Sequence, residues 1–142
     1  MKKETEEERF QHWLFDMDDV LEDFIEKFPG NLDYSPSSLN ILENWLLKQY
    51  SSAEELKSKD QFPNLDAIGR YIGEVYRKNL KGVRWGIELD DESNVFYGLP
   101  IIKFDQDLPS ISPYYQATAS VSRRTGQFLY TVFKNMEDEV SK

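Results

Sequence analysis

The chain has no cysteine and only one histidine, His12. Disulfides, thiolate metal sites and a cysteine nucleophile are therefore excluded. Any Ser-His-Asp arrangement would have to use His12, which falls on the polar side of its predicted helix. Neither a Walker loop nor a dinucleotide-type glycine loop occurs, so no cofactor is expected. No apolar run approaches the roughly 20 residues needed to span a bilayer, and the opening MKKETEEERF lacks the apolar centre of a signal peptide. The expectation is a cytoplasmic protein with no membrane partner. Positive charge is also scarce, with 17 Lys and Arg against 26 Asp and Glu and a net charge of −9. That balance argues against nucleic acid, because phosphate contacts need a basic surface, and it favours a basic protein partner.

What is present is enough for a core. At 142 residues the chain has the length of one domain, 1–142, with 1–8 read as a frayed, charged lead-in. The acid is concentrated at the front, where residues 1–35 hold 11 acidic and 4 basic side chains. From Phe10 to Phe28 the apolar residues step by three and one, the pattern of an amphipathic helix. Its opposite face carries Asp16, Asp18, Asp19, Glu22, Asp23 and Glu26. Carboxylates spread along a straight helix do not converge on one cation, and the glycine-turned loop of an EF-hand is missing, so metal is not expected. Asp16, Asp19, Asp23 and Glu26 are the candidate partner-binding residues.

The centre of the chain is Asn64–Leu89. Asn64 is placed to cap a helix, and Leu65, Ile68, Ile72, Val75, Tyr76 and Leu80 form its apolar face. Gly69 and Gly73 share a stripe beside that face. Each costs about 1 kcal/mol of helix propensity, so a close approach by another element is expected. Asp66, Arg70, Glu74, Arg77 and Lys78 read as a ladder of exposed ion pairs. The alternative reading makes Tyr71, Glu74, Arg77 and Trp85 the lining of a pocket. Gly82 is a helix stop, and Val83–Leu89 alternates as a strand.

Around this centre, Ser35–Pro36 and Ser112–Pro113 both read as a cap followed by a first-turn proline. Tyr34 is expected to pack back on Leu39. A helix is predicted over Pro36–Tyr50, a short helical turn over Ser52–Lys59, and strand over Val95–Leu99 and Ile101–Phe104 across a five-residue turn. Tyr114, Ala117 and Val121 have helical spacing, broken at Thr125–Gly126; the pair Tyr114–Tyr115 is also read as a proline-flanked loop, either an exposed contact or part of the core, and Phe128–Met136 is assigned to the last helix. The predicted fold class is α+β, with three or four helices packed on a small antiparallel sheet in the order α-α-α-β-β-α.

The segments DYSPSSL (33–39), IGRYIGEVYRKNLKGVRW (68–85) and YGLPIIKF (97–104) resemble a group of small bacterial proteins of unassigned biochemistry. Their shared pattern is G-x-Y-x-G-E-V-x-R-x-N-L-x-G-x-x-W, and the resemblance covers roughly residues 30–135. Some similar proteins belong with toxin–immunity or contact-competition systems. The resemblance implies no catalytic residues; it implies that Tyr71, Glu74, Arg77 and Trp85 serve the fold or a binding surface. Three functions are thus open: a non-catalytic binding domain, such as an immunity-type inhibitor; an enzyme or small-ligand binder using Glu74 and Arg77; and a structural or oligomeric module.

Overall fold

A computed structural model describes residues 2–142, with side chains from Thr5 onward. Seven α-helices and one two-stranded antiparallel sheet are present among the described residues. The fold is α+β, with more helices than the sequence pattern indicates. In chain order the elements are α1 (Lys2–Phe15), α2 (Met17–Lys27), α3 (Ser38–Gln49), α4 (Ala53–Lys57), α5 (Phe62–Asn79), β1 (Val83–Ile87), β2 (Pro100–Phe104), α6 (Pro113–Arg123) and α7 (Phe128–Val140). Among the described residues, no helix is long and apolar enough to cross a membrane.

The extra helices have local causes. The predicted first helix is two, interrupted at Asp16, although Phe10, Met17, Leu21 and Phe28 are buried on both sides of the break. Helical structure begins at Lys2; of the expected lead-in, Met1 lies outside the described residues. The segment between α3 and α5 is held by a true cap, with the Ser52 hydroxyl accepting from the Glu55 N–H, and it buries Leu56 completely.

Helix α5 is the centre of the molecule, and its middle is enclosed on all sides while both ends are exposed. Residues 67–76 are buried without interruption. It packs on α2, α4, α6 and both strands. The Asn64 cap is a correction: α5 starts two residues earlier, at Phe62, with Pro63 in its first turn, where a missing N–H costs nothing. The ladder read as exposed is also corrected at its middle, since Arg70 and Glu74 are only 4% and 3% exposed. Gly82 (φ +69°) ends the helix region as expected and turns the chain into β1.

β1 pairs with β2 in the register Val83↔Phe104 to Ile87↔Pro100. The predicted hairpin is correct in sense and wrong in length. Residues 88–99 connect the strands, and Val95–Leu99 is not strand. Local side-chain bonds win there. Asp91 accepts from the Ser93 N–H and Asn94 from the Phe96 N–H, turns that compete with a sheet ladder. Pro100 opens β2, a position where its missing donor is tolerated. The helix indicated by Tyr114, Ala117 and Val121 is α6, capped by Ser112, and its first turn rather than a loop holds Tyr114 and Tyr115. Tyr34, expected on Leu39, stacks on Tyr71 with ring centroids 5.0 Å apart. The three tryptophans, at core-phase positions, are all half-buried.

Candidate functional site: the outer side of the first two helices

The four pocket candidates on and beside α5 divide into two separate arrangements. Glu74, Arg77 and Trp85 meet. Glu74 Oε2 accepts from Arg77 Nε at 2.6 Å and from Trp85 Nε1 at 2.9 Å, while Oε1 accepts from Arg77 Nη2 at 2.9 Å. Burial pushes the Glu74 carboxyl up. The bonds from Arg77 and Trp85, with the Arg77 and Lys78 charges, outweigh it and hold the group below its ordinary value. Tyr71 faces elsewhere. It is wholly buried, its hydroxyl shares a hydrogen bond with Ser38 at 2.7 Å, and it accepts the Tyr34 N–H at 2.9 Å. A carboxylate this enclosed and this bonded is a clamp between α5 and β1.

Two turns earlier, Asp66 makes a second clamp, where the sequence pattern indicates only a member of an exposed ion-pair ladder. Its Oδ1 accepts from Trp13 Nε1 at 2.7 Å and from the Tyr114 hydroxyl, and its Oδ2 accepts from Arg70 Nε at 2.8 Å. Arg70 also donates to the Trp13 carbonyl at 2.7 Å and lies 4.2 Å over the Trp13 ring. Burial, then the Asp66 charge, raise the Tyr114 phenol well above its usual value. Trp13 and Trp85 meet edge to face at 4.8 Å, which joins the two clamps. Asp66, Arg70 and Glu74 of the apparent ladder are therefore polar parts of the interior, while Arg77 and Lys78 at its end are exposed as expected.

The acidic candidates stand on an open face. Asp16, Asp19, Asp23 and Glu26 are all exposed, as are Asp18 and Glu22. Only Asp23 among the four is in an ion pair, with Lys27 at 3.1 Å; an exposed pair of this kind contributes at most about 1 kcal/mol. A groove of about 980 Å³ runs along α1, lined by Glu7, Glu8, Phe10, Gln11, His12, Phe15 and Ile87. Phe15 is 85% exposed at its end. Phe15 was missed because it stands outside the apolar stripe; a large apolar residue out of phase on an otherwise regular helix is the signal that could have found it.

No protein-family model matches the chain, and no curated protein or solved structure matches it. The case for function therefore rests on the chemistry of these surfaces.

Proposed function

We propose that this chain is a non-catalytic, cytoplasmic protein-binding domain that docks a basic partner across α1 and α2. The observation that carries the reading is the junction of an exposed phenylalanine, Phe15, with an open carboxylate face. Carboxylates alone would serve solubility. An apolar anchor beside them supplies what charge does not: burying a phenylalanine side chain on docking is worth about 1.5–3 kcal/mol, while the acidic field steers approach. An immunity-type inhibitor of a basic protein fits this surface, in keeping with the resemblance carried by the Gly69–Trp85 pattern.

Glu74 and Arg77 lend less support to an enzyme, since their polar atoms are spent on each other and on Trp85. An oligomeric module would use Phe15 differently, covering it with a second copy. The test is affinity capture from the native host on three baits: the parent, Phe15→Ala, and the variant Asp16→Asn, Asp19→Asn, Asp23→Asn, Glu26→Gln. A basic protein retained by the parent and lost from both variants supports the reading. A protein held equally by all three overturns it, and a parent that is dimeric by light scattering but monomeric as Phe15→Ala replaces it with self-association.

A further inference from the structure

The second cavity of this region is distinct from the docking face in chemistry. It is a cleft of about 350 Å³ between α1, the start of α5, the start of α6, the end of β1 and the Gly98–Pro100 segment. That is within the range of small-molecule sites. Four aromatic rings, Phe10, Trp13, Phe62 and Tyr114, wall it. Phe62 is 52% exposed despite its ring contact with Tyr114 at 6.2 Å, so apolar surface is available to a ligand.

Two charged side chains of α1, Glu6 and Arg9, also line the cleft, one helical turn apart. Glu6 Oε2 is shut off from solvent and has no hydrogen-bond partner. A buried carboxylate oxygen without a donor is costly and marks a place where a donor is missing. Arg9, an exposed residue, has neither an ion pair nor a hydrogen bond among the described residues. Asp66 reaches the cleft too, but Trp13, Tyr114 and Arg70 already occupy its oxygens, so it does not compete for a donor.

A ligand that satisfies this site needs an ammonium group for Glu6, an anion for Arg9 close to that ammonium, and an apolar body for the rings. We propose that the cleft binds a free α-amino acid with an aromatic or branched aliphatic side chain. Its ammonium pairs with the Glu6 carboxylate, its carboxylate accepts from the Arg9 guanidinium, and its side chain lies among Phe10, Trp13, Phe62 and Tyr114. No bond is made or broken. This goes beyond the docking of a protein partner and does not depend on it.

The experiment is a titration of the ¹⁵N-labelled full chain, read at the Trp13 indole N–H resonance and by calorimetry. The ligands are L-phenylalanine, L-leucine, phenethylamine, 3-phenylpropanoate and glycine. L-phenylalanine and L-leucine should shift the indole resonance saturably. Phenethylamine and 3-phenylpropanoate, each lacking one charge, should bind at least about 10-fold more weakly, as should glycine, which lacks the body. Glu6→Gln and Arg9→Gln should each weaken L-phenylalanine by about 10-fold or more, with circular dichroism confirming the fold. Glu6→Gln should also abolish the preference for L-phenylalanine over 3-phenylpropanoate. The ligand panel on the parent decides the question even if a variant fails to fold. No shift with either amino acid overturns the proposal, as does equal binding of phenethylamine and L-phenylalanine. Affinity unchanged in well-folded Glu6→Gln and Arg9→Gln overturns it as well, by showing that neither charge holds the ligand.

Discussion

Trp85 fills the space that Gly73 leaves: a Cβ built on Gly73 would fall 2.0 Å from the Trp85 ring. Gly69 stands in the same relation to Tyr114, at 2.2 Å. The two glycines thus let one ring from β1 and one from α6 lie against the backbone of α5, and each ring carries a polar group to an α5 carboxylate. Trp85 reaches Glu74 and Tyr114 reaches Asp66.

The first prediction follows from that contact. Gly73→Ala should destabilise the fold by about 1–3 kcal/mol through overpacking, although helix propensity alone would stabilise it by about 1 kcal/mol. In a Trp85→Ala background the same substitution should become neutral or stabilising, because the ring is gone. Urea unfolding of the four proteins of this cycle gives the answer. A Gly73→Ala protein as stable as the parent would mean that the indole moves aside at little cost.

Glu43 supports a second prediction. It is fully buried on α3, and its two carboxylate oxygens accept from the Phe128 and Leu129 N–H groups, at 3.2 and 2.8 Å. Those are the first two donors of α7, whose own cap residue, Gln127, makes no side-chain cap bond. A residue 85 positions earlier therefore caps the last helix. Glu43→Ala should cost about 3 kcal/mol, with hydrogen bonds to a charged group contributing about 1.5–3 kcal/mol each. Amide exchange should accelerate first at the start of α7. Protection unchanged there would show that α7 does not depend on the α3 carboxylate.

The third prediction concerns pH. The Glu74 carboxyl is held below its ordinary value in the folded state. Its contribution is therefore fully present above the unfolded value, about 4.3, and is lost as pH falls through the folded value. Glu74→Gln removes that titration. The parent should lose stability more steeply than Glu74→Gln as pH falls below about 4.3, measured as the difference in urea midpoint. Parallel acid limbs would show that Glu74 has the same proton affinity folded and unfolded.

The docking face makes a kinetic prediction, the fourth. Exposed charges act over about 8 Å at physiological ionic strength. Neutralising Asp16, Asp19, Asp23 and Glu26 should slow association with the captured partner several-fold, with little change in dissociation. The slowing should shrink at high salt. Phe15→Ala should do the reverse, leaving association near the parent's and speeding dissociation. Stopped-flow kinetics separate the two, and an association rate equal to the parent's at low salt would leave the four carboxylates as a solvated face.

Sequence pattern by itself determined the α+β class, the centrality of the Asn64–Leu89 segment, the S-P cap of α6, the glycine stop at Gly82 and the need for close packing at Gly69 and Gly73. These are local matters: periodicity, capping and the absence of a Cβ act within a turn or two of chain. Only the tertiary structure decided the role of the charges on α5. At i,i+3 and i,i+4 spacing, Asp66–Arg70 and Glu74–Arg77 look the same whether water or protein surrounds them. What distinguishes them is Trp13, Trp85 and Tyr114, which arrive from three other elements and shield Asp66, Arg70 and Glu74 from water, leaving Arg77 exposed. The same reason hid the Glu43 cap and the cleft holding Glu6. Burial and hydrogen bonding between distant segments are set by which faces meet in space, and spacing along one helix carries no information about what will lie opposite it.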